Sequence, residues 1–179
     1  IGLCDGMRVG SDVSSVWNVP DVLRRTALGM CNIRLAAHQT LWRQWMHGVW
    51  WQNDPDCLVV RNCGTPAEVR MFETYGGALP AQPDYGLTHE EAACWTRLVW
   101  LTGGMTLLSE RIDRLPPDRL ELLARAFPPN RNPGRMLDWY EFPDVYALAD
   151  AADRVVGLFN LSDEPRRVSL PGRVAGVEG

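Results

Sequence analysis

The chain contains no lysine; all 18 of its basic residues are arginine, and its formal net charge is −4. No cluster of arginines alternates with aromatic residues as a single-strand groove would require. The mild excess of acid creates no field that would draw a polyanion or an anionic lipid surface. Neither nucleic acid nor membrane is therefore an expected partner. No apolar run approaches the ~20 residues of a membrane-spanning helix, and no signal-peptide pattern is visible. Several catalytic signatures are missing too. There is no Gly-x-Ser-x-Gly elbow, no His-Glu-x-x-His pair and no Gly-x-Gly-x-x-Gly or phosphate loop, and the three histidines lie without carboxylates at telling spacings. The five cysteines (Cys4, Cys31, Cys57, Cys63 and Cys94) form no Cys-x-x-Cys pair. That argues against a zinc site or thioredoxin-like motif, and for free buried thiols in a reducing, cytoplasmic compartment. No metal or cofactor is expected.

What the chain does contain is one pattern repeated three times. Met7-Arg8-Val9 ends in Gly10-Ser11-Asp12, Val49-Trp50-Trp51 runs into Gln52-Asn53-Asp54-Pro55-Asp56, and Met105 to Leu108 runs into Ser109-Glu110. Each is a buried-looking strand closed by acidic or amide groups. In a parallel α/β barrel the chemistry sits at that end of the strands, so three acidic strand ends suggest one shared site. The intervening segments suit crossover helices. Val22 to His38 is densely apolar, although Gly29 either packs closely or breaks it. Thr88-His89-Glu90-Glu91 is a capping box that opens a helix through Trp100 or Leu101, stopped by Gly103-Gly104. His89 then reads as an exposed first-turn residue. Pro116-Pro117-Asp118 begins a further helix whose apolar positions run from Leu120 to Phe127. Asn62 to Gly86 is Gly- and Pro-rich and reads as a loop-like insertion suited to substrate contacts.

Beyond Asn130 the texture changes to short strand-like runs at 136–142, 145–148, 154–160 and 167–170, as in an antiparallel sheet. A complete (β/α)8 barrel needs roughly 250 residues, whereas this chain has 179 and opens on Ile1 inside a strand-like run. It therefore reads as a piece of a longer α/β protein. Residues 1–130 would be the C-terminal part of a TIM barrel, and residues 131–179 the beginning of a truncated antiparallel β-sandwich domain.

A carboxylate at a barrel strand end, four residues after an arginine, suits sugar chemistry. One carboxyl exchanges a proton with the glycosidic oxygen while arginine and neighbouring acids grip hydroxyls. Trp17, which looks exposed, and Trp51 offer flat faces for sugar rings, though most of the eight tryptophans must be core. Asn53-Asp54-Pro55-Asp56 is a polar cluster, and equally an ordinary Asx-type turn.

The residues also carry a resemblance. Asp5-Gly6-Met7-Arg8-Val9-Gly10-Ser11-Asp12, Trp51 to Leu58, Leu87 to Glu91, and Gly103-Gly104 through Ser109-Glu110 stand in a recognisable order. They are followed by Arg135 to Trp139 and Val155 to Ser162. Together they resemble the alpha-galactosidases of glycoside hydrolase family 36, the melibiase type of clan D, over nearly the whole chain. The resemblance implies that the three strands are the sixth, seventh and eighth of the barrel, and that Asp12 is the general acid/base. It further implies that Arg8 contacts the sugar and the catalytic carboxylates and that Asp54 and Asp56 match the family's Asp-Pro-Asp. Asp54, with Trp51 and Trp17 from their positions near strand ends, completes the candidate sugar contacts, with Asp56, Ser109 and Glu110 in support. The implied reaction is retaining hydrolysis of a terminal α-galactoside in an oligosaccharide. Its nucleophile is an aspartate in a Lys-x-Asp motif, which this chain lacks, so the chain alone should be inactive. Glu110 stands where that family has aspartate and is expected to crowd or re-aim that corner. A related α-N-acetylgalactosaminide hydrolase and a non-catalytic carbohydrate-binding protein are the alternatives. Homo-oligomerisation through the tryptophan-rich stretch Trp42 to Trp51 would suit the full-length protein.

Overall fold

The computed structural model describes residues 2–19, 27–70, 85–137, 143–150 and 155–169. Three short parallel paths form its first half. Strand β1 (Gly6–Arg8) pairs in parallel with β2 (Gln52–Asp54), placing Arg8 opposite Asp54. Strand β3 (Cys57–Leu58) follows after only Pro55 and Asp56, and pairs in parallel with β4 (Leu107–Leu108). The middle path thus serves β1 on one side and β4 on the other. The switch occurs at Pro55, whose φ is fixed, and at Asp56, whose φ is +79°. Met105 N donates to Asn53 O (2.8 Å), so the path entering β4 also touches β2.

Parallel neighbours need crossover connections, and two helices supply them. Helix α1 (Ile33–Trp42) links β1 to β2, and α2 (His89–Thr102) links β3 to β4. The single helix expected over 22–38 is not what forms. Within the described residues a 3-10 turn at Ala27–Met30 contains Gly29, and α1 starts afresh at Ile33. Asn32 causes the restart: its extended backbone leaves the preceding turn, and its side chain accepts from Leu35 N (2.9 Å) as an N-cap. Ile33, Ala36, Ala37 and Leu41 then line one buried face. Residues 22–26 of the expected helix lie outside the described residues.

Helix α2 begins with the expected capping box. Glu91 N donates to Thr88 Oγ1 (3.2 Å) and Thr88 N to Glu91 Oε2 (2.8 Å). It ends on Gly103 in the left-handed conformation (φ +68°). Trp95, at the centre of α2, is wholly buried and ties the helix to β3 through its indole N–H and Cys57 O (3.3 Å). Helix α3 (Pro117–Arg125) packs against α2. Its Arg119 is buried and donates to the carbonyls of Val60, Thr88 and Leu87 at 2.9–3.0 Å.

Strands β5 (Arg135–Met136), β6 (Val145–Asp150) and β7 (Val155–Asn160) form an antiparallel sheet in that order. Of the expected strand at 167–170, residues 167–169 carry none. The sheet lies against α2, and Tyr146, Leu148, Phe159 and Leu161 join the helices in one core cluster. Gly157 permits the close approach, since a Cβ there would stand 2.5 Å from Leu101 Cδ2.

One strand and one loop differ from expectation. Val49 and Trp50 are in turns, and the strand begins at Gln52. A 3-10 turn at Gln44–Met46 takes the Val49 and Trp50 amides onto Met46 O, and Trp45 and Trp50 pack edge-to-face at 4.8 Å. Aromatic packing has displaced the β pairing that the residue types favour. A Thr65-Pro66-Ala67-Glu68 capping box also opens a helical segment at 66–70, inside the stretch expected to be loop. Residues 71–84 of that stretch lie outside the described residues.

Candidate active site

The ends of β1 and β2 bring two carboxylates onto one guanidinium. Arg8 Nη2 stands 2.7 Å from Asp12 Oδ1 and 2.5 Å from Asp56 Oδ2. The two carboxylates are not equivalent. Asp56 is 16% exposed, and its Oδ2 also accepts from Val13 N (2.6 Å). Asp12 is 71% exposed and, among the described residues, pairs through Oδ1 with Arg8, which leaves its side chain largely open to solvent. Asp54 shapes the turn: its Oδ1 accepts from Asp56 N (2.9 Å), and its backbone oxygen accepts from Val9 N (2.8 Å). Asp56 sits at a positive φ that non-glycine residues seldom adopt, a strain that its bonds to Arg8 and Val13 offset.

The loop carrying Asp12 is anchored along its length. Ser11 N donates to Gln39 Oε1 (2.7 Å), and Arg43 Nη1 donates to Val9 O (2.8 Å), both reaching in from α1 or its C-cap. Ser14 Oγ donates to Cys31 O (2.6 Å), and Val16 O accepts from Ile33 N (3.0 Å). Asp12 is thus an exposed carboxylate on a loop whose neighbours are fixed. Burial pushes the Cys31 thiol above its usual range, and the charge of Asp12 pushes the same way against Arg8. Cys94 is pushed up to about 11 by burial. None of the five cysteines is in a disulfide, and Cys4 and Cys63 are exposed where buried thiols were expected.

Not every expected residue joins this cluster. Trp17 is partly buried and packs on the core cluster, so it is not the exposed platform its sequence context suggested. Trp51 stands at the entry of β2 rather than its end. At about 3.3 Å per residue it lies ~10 Å along the strand from Asp54, packed edge-to-face on Trp50. Ser109 is exposed and its carbonyl accepts from Arg61 Nη1 (2.7 Å). Glu110 turns inward instead of crowding the site corner. Its side chain is 1% exposed and accepts from the amides of Val60 (2.5 Å) and Arg61 (3.0 Å).

The Glu110 contacts expose two residues that the sequence reading missed. Arg61 bridges Glu110 (3.3 Å) and Glu68 (2.6 Å), and Glu68 holds the backbone N–H of Ser15 at 2.9 Å. Burial opposes ionisation of Glu68, but the Thr65 amide, Arg61 and the Ser15 amide outweigh it and hold the carboxyl below its usual range. The Thr-Pro-Ala-Glu spacing was the available signal. Among the described residues no group of three His, Cys, Asp or Glu side chains is placed to hold a metal ion, and no helix is long and apolar enough to cross a membrane.

No protein-family model matches the chain. Solved structures do share its fold. Alpha-galactosidase I from Mortierella vinacea superposes with a TM-score of 0.55 at 14% identity, over 82% of this chain and 34% of that one. The alpha-galactosidase from Saccharomyces cerevisiae, solved with raffinose, gives 0.55 at 16% identity over 82% and 33%. The protein is therefore a mixed α/β chain with an alpha-galactosidase-like fold. It spans about a third of the length of those structures.

Proposed function

We propose that the chain supplies the acid/base side of a retaining glycoside hydrolase site that cleaves terminal α-galactosidic bonds. The observation carrying this reading is the Arg8–Asp12–Asp56 cluster at a parallel strand end, in a fold shared with alpha-galactosidases. Asp12, with an oxygen open to solvent, protonates the leaving glycosidic oxygen and then takes a proton from the attacking water. Arg8 aligns that carboxylate, and Asp56 fixes Arg8 from the buried side. Arg8 and Asp54 are the sugar contacts best supported by position, and Trp17 and Trp51 gain no support from theirs.

In this reading β1, the β2–β3 path and β4 are the sixth, seventh and eighth strands of a (β/α)8 barrel, and β5 opens a β-sandwich. The nucleophile would stand roughly 5–5.5 Å from Asp12 across the sugar. It belongs to a Lys-x-Asp motif, and a chain without lysine cannot contain one. The chain alone is then inactive. Met7, Met105, Leu107 and Leu108 are more than a third exposed, which supports strand faces that other strands of a larger protein cover. The exposed Trp42 and Trp45 are the surface we assign to self-association.

The test is turnover by the full-length protein of an aryl α-galactoside beside the matching α-N-acetylgalactosaminide and α-glucoside. Preference for the galactoside is the expected result. A folded protein that cleaves none of them would refute the hydrolase reading, and preference for another sugar would replace the substrate.

A further inference from the structure

We propose that Glu68 is a positioning residue that clamps the loop bearing Asp12, acting through Ser15 with Arg61 as counter-ion. The inference rests on the acid/base reading of Asp12. Both Glu68 oxygens are fully engaged. Oε1 accepts from Ser15 N (2.9 Å) and Arg61 Nη2 (2.6 Å), and Oε2 accepts from Thr65 N (2.6 Å) and Ser15 Oγ (3.3 Å). A capping box needs only the contact with the N-cap amide. Of the three remaining contacts one is to Arg61 and two reach Ser15, a wholly buried residue three positions after Asp12.

The loop is therefore held at alternate amides by three different elements. Gln39 takes Ser11, Asp56 takes Val13 and Glu68 takes Ser15. Asp56 ties the loop to the end of β2, and Glu68 ties it, through Arg61, to the segments that follow β3 and β4. Arg61 extends it to Ser109 O (2.7 Å) and to Glu110 (3.3 Å), which in turn holds the Val60 amide. One cation thus joins the loops that follow β1, β3 and β4. The cluster of two carboxylates and one guanidinium carries an excess negative charge. The amides of Ser15, Thr65, Val60 and Arg61 offset it, as buried carboxylates require.

A group that only stabilised the fold would affect all substrates alike. A group that aims Asp12 matters most where the leaving oxygen needs its proton. Glu68→Gln keeps an acceptor and the shape but loses the charge and one oxygen's acceptor capacity. In the full-length protein it should speed hydrogen exchange at the Ser15 amide by about tenfold or more. It should lower kcat on an unactivated galactoside by roughly ten- to a hundredfold, with KM changed less than about threefold. An aryl galactoside with a good leaving group should lose much less. Arg61→Lys, which keeps the charge but loses the fork, should move the same readouts in the same direction. Unchanged Ser15 exchange in folded Glu68→Gln protein would overturn the clamp, and so would equal losses on both substrates. If the unaltered protein hydrolyses no α-galactoside, the acid/base reading has failed, and Ser15 exchange still decides whether Glu68 holds the loop.

Discussion

Asp56→Asn separates charge from shape at the candidate site. Asparagine tolerates the left-handed backbone almost as well as aspartate, so the φ of +79° is kept. What changes is Oδ2, which holds both Arg8 (2.5 Å) and Val13 N (2.6 Å). A hydrogen bond to a charged group contributes about 1.5–3 kcal/mol against 0.5–1.5 for a neutral one. Two such bonds suggest a loss of about 2 kcal/mol, reduced to about 1.5 because Arg8 is 39% exposed and screened by water. If the loss is felt in the transition state, it lowers kcat/KM on a natural galactoside roughly tenfold. The assay is steady-state turnover by the full-length protein, beside thermal unfolding to confirm that it folds. Wild-type kcat/KM in a folded Asp56→Asn protein would refute the idea that Asp56 orients Arg8. Asp56→Gly is a useful companion. It relieves about 1 kcal/mol of backbone cost but removes both bonds, so activity should fall further than stability.

Two further outcomes follow from the packing. Burial pushes the His38 imidazole below its ordinary range; Asp144 pulls it up and Arg34 pushes it down. The folded state thus holds His38 neutral, bonded through Nδ1 to Tyr146 Oη (2.7 Å), and the 3.7 Å approach of Asp144 is not an ion pair. The unfolded chain then binds more protons, so this contribution is complete above about pH 6.5 and is lost as pH falls below it. His47, also lowered by burial, acts in the same window, whereas the Glu68 contribution is complete above about pH 4.5 and is lost only as pH falls below it. Melting temperature should therefore drop between about pH 7.5 and 5.5, with a smaller drop in His38→Gln, and a rise on acidification would contradict the assignment. Gly104→Ala places a Cβ 2.7 Å from Asn53 O, the acceptor of Met105 N. It should cost about 1–3 kcal/mol by denaturant titration, and a neutral result would mean that β2 and the path into β4 are not packed as described.

Local chemistry was legible in the sequence where a motif closes on itself. Thr88 with Glu91 and Gly103 fixes both ends of α2 because caps act within one turn. The four-residue spacing of Arg8 and Asp12 likewise survives as a contact. What could not be read depends on distant partners. Glu110 is buried by the amides of Val60 and Arg61, some 50 positions away, so its spacing from the strand suggested a site residue. Glu68 sat in a clear capping box, but the glycines and prolines around it made the stretch look structureless. Trp50 and Trp51 have strand propensity, yet packing against Trp45 moved the strand onto Gln52-Asn53-Asp54.

Replacing Asp12 itself is the most direct test of the account. In the full-length protein, Asp12→Ala should lose turnover of natural galactosides by about a hundredfold or more, while the first chemical step with an activated aryl galactoside is largely spared because its leaving group needs little protonation. Equal loss on both substrates would remove Asp12 from the acid/base role. Retention of natural-substrate turnover would remove it from the site.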